Sequence, residues 1–341
     1  MGFAPARPAL STEHARYQQF IERGYHGEMA YLAGGAGVRR QVDTAAIVSR
    51  AQTVVCLARC YGRSAEEERA DPPLAWLMAR YARGRDYHGF IKKKAQQLAA
   101  FCRTLGAGAA ARAFCDTAPI LERAWAARAG LGFIGKNGNL IIPGQGSYCL
   151  LAEVVTTLAV SPAVTGPPSR RAKGVEHPCG SCRRCLDACP AQALVKPFVL
   201  DARRCISYAT IERRAVDPAG LRPVQGRQLF GCDECQQVCP FNLVAPPPAA
   251  DTAPFRPLPR WSHRRLLDLV QLTRSGWPEL SSGSPLRRAT RVGLARNALL
   301  VAAHRYRLGH PDMSRVLEAG LGHDDRRIRQ LATELLRQPV K

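Results

Sequence analysis

The chain has 341 residues, 46% of them hydrophobic, and carries 49 Lys plus Arg against 27 Asp plus Glu, a formal charge of +22. So large a positive charge repels basic partners and draws polyanions, nucleic acid first among them, and the length allows two or three domains. MGFAPARPAL lacks the apolar core of a secretory signal, and the most apolar run, SYCLLAEVVTTLAV, is broken by Glu153 and too short for a bilayer. Secreted and membrane-spanning classes are therefore set aside and a cytoplasmic location is expected. Thirteen cysteines crowd towards one region, and in such a compartment they serve as thiolate ligands rather than disulfides.

In chain order, TVVCLARC (53–60) is β-branched and apolar and predicts a buried strand. FIKKKAQQLAAFCRTLG (90–106) has helical periodicity and stops at Gly106. ARAFCDT (111–117) predicts a strand running into a turn at Pro119, ILERAWAARAG a helix, and NLIIP with GSYCLLAEVVTTLAV a pair of strands. This alternation predicts an α/β layer fold for residues 1–165. SPAVTGPPSRRAKGVEHP (161–178) reads as a linker into a cysteine-rich domain at 166–250, and APPPAADTAPFRPLP (245–259) as a second connection. In 251–341, SHRRLLDLV, RRATRVGLARNALLVAAHRYRLG, MSRVLEAGL and DDRRIRQLATELLRQ predict helices. From Arg256 onward 17 Lys plus Arg face 7 Asp plus Glu, and the short helix pairs read either as HEAT-like units or as a helical cap on the preceding domain.

AGLGFIGKNG (129–138) satisfies G-x-G-x-x-G and most of a phosphate loop, with Asn137 where Ser or Thr would bind magnesium. Such loops need a strand before the glycines and a helix after them. Here the order is reversed, with Gly130 placed as a helix C-cap, so a turn admitting some other bulky ligand is expected instead.

HPCGSCRRCLDACP places Cys179, Cys182, Cys185 and Cys189 in C-x2-C-x2-C-x3-C-P, the bacterial ferredoxin run that serves two [4Fe–4S] clusters. Zinc asks only for two C-x2-C pairs. GCDECQQVCP supplies Cys232, Cys235 and Cys239, and Cys205 replaces the ligand that Leu229 withholds. Eight thiolates result. Symmetric swapping assigns Cys179, Cys182, Cys185 and Cys239 to one cluster and Cys189, Cys205, Cys232 and Cys235 to the other. Cys56, Cys60, Cys102, Cys115 and Cys149 lie in apolar patterns and read as small core residues. A bare ferredoxin needs far less chain, so the electrons are expected to be consumed within the protein.

Taken together, CDTAPILERAWAARAGLGFIGKNGNLIIP, GSYCLLAEV, CGSCRRCLDACPAQAL, RCISY and GCDECQQVCP, with GYHGEMAYL and RDYHGF, resemble the epoxyqueuosine reductase family over nearly the whole chain. The resemblance implies a cobalamin-binding N-terminal domain, a ferredoxin-like two-cluster domain and a HEAT-like tail that binds tRNA. It implies an oxidoreductase of queuosine biosynthesis that removes the epoxide oxygen at the tRNA wobble base. Electrons would pass from two [4Fe–4S] clusters to a base-off cobalamin, with an external electron donor behind them. By motif match Asp116 is the general acid, its pKa expected to be raised by desolvation. Asp86 is a weaker second acid or an orienting group, and His88 a packed or hydrogen-bonded histidine rather than a cobalt ligand. Arg123, Gly135, Lys136, Asn137 and Ser147 would line the corrin, with Ser207 approaching from the iron–sulfur domain. Arg213 and Arg214 are candidates for anticodon-loop contact.

Read from residues alone, Asp116 is equally a turn or N-cap residue and Lys136 a solvated one. Family members carry a helix and a strand before the point where the match begins, so the true start is expected upstream or the first strand missing, leaving a sheet edge bare. A monomer is expected. Two rivals stand: a reductive dehalogenase-like reductase, disfavoured by the basic tail and the lack of a signal, and a non-catalytic iron–sulfur RNA-binding protein, which leaves Asp116 and the glycine turn without a use.

Overall fold

The structure, a computed structural model, describes residues 1–160, 177–216, 226–243 and 252–337. The ends of the expected domains, at 165/166 and 250/251, and most of the two expected linkers lie outside the described residues.

Strand β1 (Gly2–Pro5), β2 (Thr53–Cys60), β3 (Ala111–Phe114) and β6 (Cys149–Thr156) form one sheet in the order β1-β2-β6-β3. Every pairing in it is antiparallel, with Thr53 opposite Thr156 and Ala111 opposite Thr156 on the other side. Strands and helices alternate in layers as expected, with a helix on each face of the sheet. Helices do intervene between strands, but the connections return the chain antiparallel, and alternation of patterns does not fix strand direction. The strand expected to be missing is present, since Gly2–Pro5 pairs with β2 and fills the edge. The segment NLIIP does not pair with β6 either. Its β5 (Leu140–Ile141) forms a separate hairpin with β4 (Phe133–Ile134).

Side chains alternate across the sheet, as a period of two requires. Val55, Ala152 and Val154 pack under the helix Tyr87–Thr104, whose Ile91, Ala95, Ala99 and Cys102 are buried. Val54, Cys56, Phe114 and Val155 face the other way, onto Trp125 and Ala126 of the helix Glu122–Arg128. That helix ends in a Schellman motif: Gly130, at φ +76°, donates to Ala127 O and Leu131 to Ala126 O, both at 3.1 Å.

The basic tail is helical as expected, with Leu266–Val270, Arg291–Arg307, Ser314–Leu321 and Arg326–Arg337, to which Gly276–Ser281 is added. Gly320 lets three helices close, since a Cβ there would stand 2.7 Å from Ala332 Cβ and 3.0 Å from Leu299 Cδ2. The core of this lobe also takes in Leu74–Ala82 from the first domain and Leu229 and Phe230 from the cysteine region. The three expected domains thus share a core.

One buried cation ties the tail to the cysteine region. Arg296 is 1% exposed, and its guanidinium donates to the carbonyls of Ala209, Arg213 and Ala215 at 2.6, 2.8 and 2.9 Å. Asn297 continues the seam, donating to Thr210 O at 2.8 Å and Leu229 O at 2.9 Å while accepting from Arg296. Truncation strands these buried carbonyls without donors, each costing about 1–3 kcal/mol. Arg296→Ala is expected to lose about 3 kcal/mol or more in denaturant titration. Arg287→Ala, at an exposed position of the same lobe, is expected to stay within about 0.5 kcal/mol of the parent.

Candidate active site and cluster loops

Asp116 follows β3 at φ +60°, a left-handed conformation that Asp tolerates better than most residues. Its N–H donates to Glu122 Oε1 at 2.6 Å, and its carboxylate accepts from the Tyr87 hydroxyl at 2.9 Å and meets His88 Nε2 at 3.0 Å. Asp86 caps the helix Tyr87–Thr104 through the His88 N–H and also meets His88 Nδ1 at 2.7 Å. The cap therefore places one imidazole between two carboxylates. Held so, His88 is pushed up to about 9, by Asp116 first and Asp86 second.

Asp116 moves the opposite way from the expectation. The His88 hydrogen bond, aided by Tyr87, outweighs burial and holds its carboxyl below the usual range. The resting proton sits on His88. Asp86 is likewise lowered, chiefly by its bond to His88. Tyr87 and Glu122 were missed in the sequence, where only the RDYH cap and an acidic first turn before Ala-Trp hinted at them.

The eight cysteines fall into two neighbourhoods. Cys185 is within electrostatic reach of Cys179, Cys182 and Cys239, and Cys239 of Cys179 and Cys182. Cys205 lies near Cys189, Cys232 near Cys205, and Cys235 near both Cys205 and Cys232. Cys235 also senses Cys185, so the two sets abut. Each holds four soft thiols, the donor set and number a cubane takes. Tyr81 lies within reach of Asp116 on one side and of Asp233, between Cys232 and Cys235, on the other. Tyr81 packs edge-on against Tyr87, whose hydroxyl bonds Asp116.

The remaining cysteines divide. Cys56, Cys102 and Cys115 are buried as expected, but Cys60 and Cys149 are only half-buried, facing each other across β2 and β6 with sulfurs 2.6 Å apart.

The residues expected around a corrin also divide. Lys136 donates to Gly180 O at 2.5 Å and Cys182 O at 2.9 Å, and Asn137 donates to Cys235 O at 3.4 Å. Ser147 donates to Gln236 Oε1 at 3.0 Å and to Asn242 Oδ1 through its N–H at 2.6 Å. These three side chains are spent on the cysteine loops. Arg123 donates to Gly138 O across the turn, and Gly135 is required by Ile141, whose Cδ1 would stand 2.6 Å from a Cβ. Ser207 stays half-exposed on the helix Ile206–Ile211, beside Cys205. Arg214 is occupied too, donating to Ile211 O and Arg288 O, both at 2.9 Å. The Asp116–His88–Asp86 group itself stays open to solvent. Asp116, Asp86 and His88 keep 55%, 38% and 34% side-chain exposure despite their bonds.

An acid–imidazole couple beside two four-thiol loops defines a two-cluster iron–sulfur oxidoreductase. A 4Fe-4S double cluster binding domain matches residues 178–242, and the family model Epoxyqueuosine reductase QueG, DUF1730, matches residues 41–117. An epoxyqueuosine reductase from Pseudomonas aeruginosa is 40% identical over 284 residues, covering 82% of this chain and 75% of its own length. The crystal structure of a selenomethionine-labelled epoxyqueuosine reductase superimposes with a TM-score of 0.81 at 28% identity, covering 98% of this chain and 85% of that one. A third, solved with an epoxyqueuosine-modified tRNA-Tyr stem loop, gives 0.77 at 26% identity over 99% and 94%. The chain belongs to the epoxyqueuosine reductase family.

The raised His88 pKa is also a statement about stability. A group raised from 6.5 to about 9 contributes stability that is complete below 6.5 and lost as the pH rises through about 9. Denaturant titrations should therefore find the parent more stable than His88→Gln below pH 6.5, the gap closing as the pH passes about 9.

Proposed function

We propose that this chain reduces epoxyqueuosine in tRNA to queuosine, using two [4Fe–4S] clusters and a base-off cobalamin, with Asp116 as the proton donor. The observation that carries the reading is the Asp116–His88 contact of 3.0 Å, an acid and its proton source open to solvent beside the cysteine loops. Cys179, Cys182, Cys185 and Cys239 would hold one cluster, and Cys189, Cys205, Cys232 and Cys235 the other. Residues 1–165, 166–250 and 251–341 would serve as the cobalamin, cluster and tRNA-binding parts of a cytoplasmic monomer. Among the described residues no helix is long and apolar enough to cross a membrane.

Removing the epoxide oxygen as water takes two electrons and two protons, the electrons from an external low-potential donor. Asp116, Arg123, Gly135 and Ser207 would face a cobalamin, while Lys136, Asn137 and Ser147 fix the turn to the cysteine loops behind. A cobalamin held by these residues would supply an electron-rich cobalt able to open a strained epoxide. As the ring opens, charge grows on its oxygen and Asp116 hands over a proton at its carboxyl. His88 Nε2 resupplies that carboxyl across 3.0 Å, and Asp86 at Nδ1 keeps the ring oriented. The substrate reading draws support from the solved relative bound to a modified stem loop. It also fits the +22 charge and the exposed Arg287, Arg315 and Arg326, which suit sequence-blind phosphate contact.

The test is an anaerobic reaction of reconstituted protein, cobalamin and a strong reductant with epoxyqueuosine-containing tRNA, digested and read by mass spectrometry. Loss of one oxygen is expected, with Asp116→Asn slower by about 100-fold or more. No mass change, with cluster and corrin spectra intact, would move the dehalogenase-like reading forward. In parallel, Cys205→Ser is expected to lose about half the bound iron, since four thiols serve each cluster; unchanged iron would remove Cys205 from the ligand set.

A further inference from the structure

Glu153 lies in the middle of β6, opposite Cys56 on β2 and Phe114 on β3, and its exposure is zero. Neither carboxyl oxygen meets a hydrogen-bond partner of ordinary geometry. What it lies against is the carboxyl of Glu122, in the first turn of the helix that covers that face of the sheet. Glu122 in turn accepts the Asp116 N–H at 2.6 Å, a length typical of a charged acceptor. A sheet centre is a costly place for two carboxyls, and nothing in the reaction described above employs them.

We propose that the half-buried Glu122 and the fully buried Glu153 form a carboxyl pair that positions Asp116: Glu122 latches the Asp116 backbone, and Glu153 beneath it holds Glu122. The inference deepens the reading of Asp116 as the acid and rests on it. A residue at φ +60° persists only where its surroundings over-determine it. Tyr87 and His88 hold the Asp116 carboxyl, but only Glu122 holds its backbone N–H. An ionised Glu153 would be an uncompensated buried charge, so it is protonated, and its own O–H is the hydrogen that can lie between the two carboxyls. The pair then shares one proton and leaves the negative charge on Glu122, facing the N–H.

The groups that act on this pair are Asp116 from the turn, His88 from the helix Tyr87–Thr104, Arg123 beside Glu122, and Cys56 and Cys115 from the sheet side. Burial first, then Asp116, pushes Glu122 up to about 7. Below that pH Glu122 gains a proton, the charge-assisted bond weakens and the latch loosens. His88 keeps the transferable proton until about 9. Turnover should therefore be bell-shaped, its acid limb near 7 set by the latch and its alkaline limb near 9 by the imidazole.

Three variants, each measured in the reconstituted holoenzyme, test this. Glu122→Gln is neutral at every pH, so its activity should sit at the low level to which the parent falls below about 7, with the acid limb gone and the alkaline limb kept. Glu122→Ala should cut kcat by about 10- to 100-fold with KM for tRNA little changed, as misplacement of a catalytic group does. Glu153→Gln keeps a donor towards Glu122 and should retain most activity and both limbs. An acid limb that persists in Glu122→Gln, or an undiminished kcat in Glu122→Ala, overturns the proposal. Hydrogen exchange supplies a readout free of the substrate. In Glu122→Ala the amides of the Asp116 turn should exchange faster while those of β6 stay protected. Unchanged exchange sinks the latch, whereas faster exchange in a protein inert towards epoxyqueuosine would keep the latch and reject the reading of the reaction.

Discussion

The geometry of the site depends on the hydrogen bonds that the turn between β4 and β5 makes to the cysteine loops. Lys136 reaches two carbonyls, Gly180 and Cys182, within the first ferredoxin run, and Asn137 reaches Cys235 within the second. Each bond goes to backbone rather than to a side chain, so it fixes the path of the loop that carries the thiols. The same turn is rooted in the helix Glu122–Arg128 through its Schellman end, and that helix carries Glu122, which grips Asp116. Acid and thiols are therefore placed from one short segment. This is why the glycines fit no nucleotide loop: their lack of a side chain serves a close hairpin, with Gly132 and Gly135 both pressed against Ile141.

A second seam is electrostatic. Asp71 is buried and takes Arg63 and Arg83, each at 2.9 Å, while Arg80 pairs with Glu68 at 2.5 Å and donates its N–H to Asp233 at 2.7 Å. Asp233 lies between two of the thiols, so the network ends at a cysteine loop. Four thiolates around a cubane leave it with net negative charge, and nearby cations and N–H groups tune how readily such a cluster takes another electron. Arg80 and Lys136 are two of the cations the fold brings to that region, one from each seam. The network also holds Leu74–Ala82 in place, the stretch whose apolar side chains join the tail core. Charge compensation and lobe packing use the same residues.

What was legible in the sequence followed chemistry that is local. The cysteine spacing is a local covalent code, and the structure brings the eight thiols into two neighbourhoods of four. Strands β2 and β3 and the long helices were visible because their periods are set by neighbouring residues. Strand direction was not visible, because pairing between residues a hundred apart leaves no mark on the pattern of either strand; β2 and β6 read the same whether parallel or antiparallel. The bonds that Lys136, Asn137 and Ser147 make to the cysteine loops were not visible for a related reason, since a polar residue near a turn looks alike whatever it faces. Glu153 did leave a signal. A charged residue inside LLAEVV was read only as a break in an apolar run, although burial of such a group demands a partner.

The lowered pKa of Asp116 is compatible with a role as an acid once desolvation is applied to the couple rather than to either member. In the open site water solvates both charges, and the ion pair with His88 is the favoured state. Removing water costs several kcal/mol per ion, and a single proton moving 3.0 Å from Nε2 to Oδ2 cancels both charges at once. The neutral pair, a carboxylic acid beside a neutral imidazole, is then favoured by the same burial that the charged pair resists. Asp86, ionised on the far nitrogen, pulls the other way and keeps the imidazole from losing its second proton to solvent. A ligand lying over the acid thereby loads it. On the proposed reading the carboxyl would become able to donate once the site is covered, whereas an uncovered site holds the proton on the histidine.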